Sequence, residues 1–512
     1  MEEKRTKPLV VYGGTLIYFC LNLFLLFNHE PWRDEINAWL FARDSSTWQI
    51  FTGSIQQGHP SLWYYFLAIF AKMGLPIITL NVLSLLVMTV TAFLLLKFGP
   101  FSQTIKLILL FTPMFLYNYP VISRNYCLIG LLMVLLCVFY QNRHTNPWPY
   151  GISLALLIHT HLMMIGVAFI LWLIYLIELW KEKDRKKSEF GVLILVSLST
   201  IILFIQVVFL NKVNVIVGTT SGPTAGFVMS DYLTTVWKFF SDTFVTLKVP
   251  AIITVIFWLI LFIYLGIYYR KQFFILLVST VFMALVSAFV YSTIIYMQAK
   301  VISLFYILLY IMWTILEDHD YQPYEIISKT GLAGDTFSYV FIGAIVVVGA
   351  ISSFSNAVDA VQDFNEPFSE SKEVGEYINK ELPSDAVLID TNAFLATPVV
   401  GYMKPTQKMI DIRAMKKLTY TPWDYDYFWN MPFSKFKKNI EKIKNKYSHV
   451  YWLYNNTGTQ GLEYQPKIDK MIMRYYTNQD IVDYAQKLPS PTVFDNKAIN
   501  GDESNYMIFK LK

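Results

Sequence analysis

The sequence predicts a polytopic α-helical membrane protein with a C-terminal α/β domain outside the membrane. Three observations lead there. The chain is 55% hydrophobic and only 15% charged, far more apolar than a soluble protein. Its long apolar runs fill residues 9–355, whereas 356–512 alternates short apolar and charged stretches like a water-soluble domain. Lys and Arg fall mainly in short loops between the runs, so the net charge of +5 needs no nucleic acid to explain it.

A helical span takes about 20 mostly apolar residues. This rule gives spans near 9–27, 77–97, 122–140, 190–210, 250–269, 272–291, 299–316 and 336–354. Shorter candidates lie at 104–119, 148–161 and 162–180, the last two as a tight hairpin. The expected total is about eleven.

Lys4, Arg5 and Lys7 precede the first run; Lys97 and Lys106 bracket a turn; Arg143, the stretch Lys181–Lys187, and Arg270-Lys271 mark three further loops. With that span count they share one side, which the positive-inside rule makes cytoplasmic. An odd number of spans then puts the N-terminus inside and the C-terminal domain outside. The apolar stretch 61–73 is too short to cross, and crossing there would scatter the basic loops to both sides. It is expected to be a re-entrant or interfacial helix, in a first outer loop, 28–76, of short amphipathic helices. The first run lacks a clear cleavage site and reads as an anchor. Cys20, Cys127 and Cys137 fall within expected spans, and no disulfide is expected.

The expected domains are thus 1–355 in the membrane and 356–512 outside it. In the latter, helical spacing at 370–382 precedes a buried strand at Ala386–Asp390, and a lysine-rich helix at 433–447 precedes a strand at 449–454. This alternation predicts a small α/β layer. It holds no Gly-rich phosphate loop, nucleophile elbow or Cys/His metal spacing.

Ionisable residues in or beside spans are functional candidates by default. Asp34, Glu35, His59, Arg124, His159, His161 and Lys300 come from distant parts of the sequence yet share the expected outer side and depth. Each has a plainer alternative. The two acids suit a helix N-terminus, His59 before Pro60 suits the start of a helix, and Arg124 suits headgroup snorkelling. His159 and His161 suit hairpin hydrogen bonds, and Lys300 suits an interfacial anchor. The pattern also suits sugar transfer from a lipid phosphate. A phosphate leaves without a general acid, so one carboxylate serves as base and cations hold the charge on the departing phosphate. A glycosidase would instead set two carboxylates on either side of the bond.

Trp32-Arg33-Asp34-Glu35 in the first outer loop, His59-Pro60-Ser61-Leu62-Trp63-Tyr64-Tyr65 behind it, Ser123-Arg124-Asn125-Tyr126 and His159-Thr160-His161 follow in that order. At these residues the chain resembles the GT-C class of membrane glycosyltransferases, and is most similar to the branch of protein O-mannosyltransferases and lipid A aminoarabinose transferases. The likeness covers roughly 9–355, and the outer domain fits the family plan. It implies Asp34 as catalytic base, with Glu35 orienting it or binding acceptor. It further implies His59, Arg124 and Lys300 on the lipid phosphate, and Arg33, Tyr64, Tyr126, His159 and His161 in the substrate pocket. The implied partners are a polyprenyl-phosphate-linked sugar, membrane lipids and a glycan, lipid or protein acceptor, with no metal or other cofactor. Ser61 departs from the family's second proline, and His59 stands where lysine is frequent. A secondary transporter, a flippase or polymerase of lipid-linked sugars, and an accessory subunit are the rival expectations.

Overall fold

The computed structural model describes residues 6–112, 114–210, 229–241, 250–290, 297–318, 361–421, 432–455, 479–494, 498–499 and 503–512. The span expected at 336–354 lies outside them.

Among the described residues, five helices are long and apolar enough to cross a membrane: α1 (Pro8–Asn28), α5 (Ile78–Phe98), α9 (Met164–Lys181), α10 (Lys187–Val208) and α12 (Ala251–Tyr268). Around them run α7 (Tyr126–Phe139), α8 (Pro147–Ile158), α11 (Met229–Ser241), α13 (Arg270–Val290) and α14 (Met297–Glu317). The stretch expected as a span at 104–119 is instead α6 (Gln103–Leu110) followed by a π-helical turn, Met114–Asn118. Pro113 disfavours helical backbone at the residue before it, which breaks the run.

The first loop holds three short helices, α2 (Arg33–Asp44), α3 (Thr47–Gly53) and α4 (Leu62–Ala71). Their starts are written locally. Ser46 accepts the Gln49 N–H while Gln49 returns a bond to the Ser46 N–H, a reciprocal cap. Glu35 likewise reaches back to the Trp32 N–H at 3.2 Å. At 10 residues α4 is about 15 Å long, half the hydrocarbon thickness. It packs against α2, burying Trp63, Tyr64, Leu67, Ala68 and Ala71.

The C-terminal region carries a six-stranded sheet in the order β3-β2-β1-β4-β6-β5. The strands are β1 (Val387–Asp390), β2 (Lys408–Asp411), β3 (Lys416–Lys417), β4 (Val450–Asn455), β5 (Thr492–Val493) and β6 (Tyr506–Lys510). β1 runs parallel to both β2 and β4, and the outer pairings are antiparallel. Strand alternation sends Leu388, Met409 and Leu453 to one face, against Val374 and Ile378 of α15 (Ser371–Glu381) and Val399 of α16 (Ala393–Tyr402). Ile389, Ile410 and Trp452 face the other way, against Phe436 and Ile440 of α17 (Phe433–Lys446) and Ala485 of α18 (Gln479–Gln486).

α16 also packs on α2, which joins the two regions. A side chain at Gly401 would collide with Ile36, so the close approach requires glycine. Polar bonds flank that contact. Tyr402 donates to the Pro31 carbonyl at 3.1 Å, and the Thr421 N–H donates to Asn37 at 2.8 Å.

α7 separates two polar clusters. Beyond its C-terminal end, Arg143 pairs with Glu178 at 2.9 Å, Lys271 pairs with Glu178 at 2.7 Å, and Tyr140 donates to Asp318 at 2.7 Å. These bonds gather the ends of α7, α9, α13 and α14. Arg124 stands at the opposite end, about 20 Å away at helical rise.

Candidate functional site

The site forms at the N-terminus of α2, where consecutive carboxylates part company. Successive helical residues point about 100° apart, and tertiary packing gives the two directions different surroundings.

Glu35 points inward and is fully buried. One oxygen meets His29 Nε2 at 2.9 Å and the Trp32 N–H. The other accepts the Ser123 N–H at 2.6 Å and Asn81 Nδ2 at 3.2 Å. The other nitrogen of His29 meets Asp363 at 2.8 Å, and Tyr117 donates to the same Asp363 oxygen at 2.8 Å. Burial alone would depress the His29 pKa, but the Glu35 charge and the bonds to Asp363 and Glu35 push it up to about 10. A buried imidazolium thus sits between two carboxylates. This knot ties the end of α1, the start of α2, the π-helical turn and residue 363 together.

Asp34 points outward, its side chain 29% exposed. Arg124 donates to it at 2.5 Å and Arg33 Nε at 3.3 Å. Burial would raise the Asp34 pKa, but Arg124 and Arg33 outweigh it and hold the carboxyl below its usual value. The other terminal nitrogen of Arg124 meets His59 Nε2 at 3.0 Å. A guanidinium has no acceptor, so His59 Nε2 accepts and its proton belongs on Nδ1, which is buried without a partner. Burial and the Arg124 charge hold His59 neutral, well below the usual histidine value.

Local geometry aims these groups. His59 follows Gly58, whose φ of 101° suits glycine and little else. The Leu62 N–H bonds the His159 carbonyl at 3.4 Å, and Asn125 donates to the Thr160 carbonyl at 2.7 Å. The 58–62 and 159–161 turns are thereby fastened to the residue following Arg124. His161 lies 5.2 Å from the His59 ring and 5.9 Å from the Tyr126 ring. It accepts the Met163 N–H on Nδ1, and burial pushes its pKa down to about 3 with help from Arg124. The Tyr126 ring also lies 6.0 Å from the Arg124 guanidinium carbon.

Three expected residues sit elsewhere in function or description. His159 turns away to Ser199 at 2.9 Å. Tyr64 donates to the Gln57 carbonyl at 2.8 Å and braces the His59 turn from behind. The side chain of Lys300 lies outside the described residues.

The C-terminal region adds partners that sequence reasoning missed. The Arg33 guanidinium lies 3.4 Å from the Phe394 ring centre, a cation–π contact. The Arg33 N–H reaches the two Glu503 oxygens at 3.1 and 3.2 Å, and Ser369 donates to Glu503 at 2.6 Å. Burial pushes the Glu503 carboxyl up to about 7 despite the nearby Arg33. Glu503 lies 470 residues from Arg33 and Asp363 lies 334 from His29, so no local spacing signals either pair. His29 carried a weak signal, as a histidine directly after an apolar run.

Chemically, the outward cluster is an ionised, partly accessible carboxylate between two guanidiniums, with neutral imidazoles and a phenol beside it. It can accept a proton at Asp34 and hold an anion at the arginines. Among the described residues, no group of three or more His, Cys, Asp and Glu side chains could hold a metal. No protein-family profile matches the chain, and no curated protein is similar to it at a significant level.

Proposed function

We propose that this protein is a multi-pass membrane glycosyltransferase that moves a sugar from a polyprenyl-phosphate donor to a glycan, lipid or protein acceptor at the outer face of the membrane. The observation that carries this reading is the chain His59–Arg124–Asp34–Arg33, which joins one accessible carboxylate to two guanidiniums. In the proposed reaction the acceptor hydroxyl oxygen bonds to the anomeric carbon as the bond from that carbon to the phosphate oxygen breaks. The hydroxyl proton passes to Asp34, and the polyprenyl phosphate leaves as an anion beside Arg124 and Arg33. A carboxylate of low pKa is a weak base in the ground state. It suffices here, because the hydroxyl becomes strongly acidic as its oxygen bonds to carbon.

His59 is neutral and spends its lone pair on Arg124, so the proposed phosphate charge falls to the arginines. His59 then orients Arg124. The cluster lies on loops and helix ends rather than in mid-helix, which favours transfer at an interface over passage through the bundle.

The test is donor consumption by purified protein across a panel of polyprenyl-phosphate sugars, comparing wild type with Asp34→Asn. Loss of a general base lowers turnover by about 10²–10⁴-fold. Equal turnover in both proteins, or none with any donor and acceptor, overturns the reading.

A further inference from the structure

Asp390 ends β1 and Asp411 ends β2, and the two are register partners in the parallel pair, so their Cα atoms lie about 4.8 Å apart. Strand alternation sends both side chains to the sheet face that carries α15 and α16, since Leu388 and Met409 point there. The location is also topologically distinct. β1 connects outward to β2 on one side, and the chain later returns as β4 on its other side. Open parallel sheets bind ligands outside the carboxyl ends of strands, and β1 borders the reversal, which falls between β1 and β4.

Both carboxylates are buried, Asp390 to 1% exposure and Asp411 to 3%. Asp411 Oδ1 accepts the Arg413 N–H at 2.8 Å. Neither oxygen of Asp390 has a partner at full hydrogen-bond geometry, the Asn392 N–H acting on it only weakly. Buried polar atoms without partners need an explanation, and a bound ion is one that also fits two adjacent carboxylates. A proton shared between the two acids would place an O–H···O bond at Asp390, and none is present. Burial and the Asp411 charge both disfavour a second negative charge at Asp390, which Arg413 offsets only in part, so a cation between the two acids would relieve their repulsion.

We propose that Asp390 and Asp411 hold a single hard divalent cation, of the Mg²⁺ or Ca²⁺ class, at the carboxyl end of the β1–β2 pair. Such ions take oxygen ligands and bind through one or two carboxylates with water completing the shell. The site is independent of the glycosyltransferase reading and touches none of its residues. At the start of α16 it stands four positions before Phe394, the ring under Arg33, so occupancy would stiffen the strand-to-helix turn that carries that ring.

The experiment uses the full chain in detergent, stripped with a chelator and dialysed. MgCl₂ and CaCl₂ are titrated by isothermal calorimetry and thermal denaturation, with KCl at matched ionic strength as control. One saturable equivalent with a rise in Tm is expected for wild type and for Asp34→Asn. Asp390→Asn and Asp411→Asn should each weaken binding at least about tenfold, the loss of one charged ligand of two. If Asp390→Asn does not fold, Asp411→Asn and the wild-type stoichiometry decide. No saturable binding by wild type overturns the proposal, as does unchanged binding in the aspartate variants. A metal-independent rise in Tm on Asp390→Asn would identify Asp390 as a buried neutral acid instead.

Discussion

Asp34 and Glu35 are neighbours in one helix turn, yet the two sides of α2 they face follow opposite designs. On the inner side, Glu35, His29 and Asp363 form a closed knot in which both Glu35 oxygens are satisfied and water is excluded. On the outer side, Asp34, Arg124 and Arg33 leave part of each charge accessible. The lesson is a division of labour. A saturated, buried carboxylate can only hold structure, because any incoming group must first break a bond. A carboxylate clamped by two guanidiniums but open on one flank can exchange partners. The rigid side fixes the helix; in the proposed function the open side does the chemistry.

That contrast can be broken from either side. The largest expected effect is on activity. Asp34→Asn should lower donor turnover by about 10²–10⁴-fold while the melting temperature in detergent barely moves. The pair is partly exposed, and such pairs contribute about 0–1 kcal/mol. A large fall in Tm for this variant would erase the distinction between the two sides.

Next comes the mirror image. Glu35→Ala leaves a buried imidazolium short of one partner, which destabilises by about 3–5 kcal/mol. Thermal denaturation should show it, and the double change with His29→Phe should recover part of the loss. No recovery would mean the knot is not a unit.

Arg124→Lys tests the outer side more finely. Lysine keeps the charge but not the fork that spans Asp34 and His59. Turnover should fall about tenfold to a hundredfold, with the loss in kcat rather than in Tm. A full-strength Lys variant would remove the need for that bridge.

The smallest effect is in pH dependence, where the two sides pull in opposite directions. His29 has a folded pKa raised to about 10 from an unfolded value of 6.5. Its stabilisation is complete below pH 6.5 and is lost as pH rises toward 10. His59 and His161 are depressed, the latter to about 3, so their contribution is present above pH 6.5 and is lost on acidification. Melting temperature against pH should therefore fall on both flanks. His29→Phe should flatten the alkaline limb alone, and His161→Phe should soften the acid limb alone. Unchanged limbs in those variants would dissociate the histidines from the profile.

Much of this architecture was legible in the chain. The apolar runs marked α1, α5, α9, α10 and α12, because about 20 apolar residues have few other uses. The 61–73 stretch was readable as a short helix from length alone, and α4 is that helix. In the C-terminal region, β1, β4, α15 and α17 all lie where periodicity put them. The break at 104–119 was less visible, since hydropathy averages over the proline at position 113.

The outer cluster was also half legible. Charged residues are too costly near a membrane to be incidental, which is why Asp34, Glu35, His59 and Arg124 stood out, and His161 with them. Their roles were not legible. Asp34 and Glu35 look alike in sequence, and His159 and His161 look alike two residues apart, yet one of each pair faces the cluster and the other turns to a separate neighbour. Glu503 and Asp363 carried no signal, because a pairing across hundreds of residues leaves no local pattern.

The sequence by itself determined the apolar helices, the α/β alternation of the C-terminal region and the candidate polar residues, since each follows from local periodicity and the expense of burying charge. Tertiary structure alone decided which carboxylate is locked and which is open. That choice depends on what packs against each side of α2: His29, Asn81 and residue 123 on one flank, two arginines and open space on the other. Burial and most of the partners are set by distant chain segments, which the residues adjacent to the two acids do not encode.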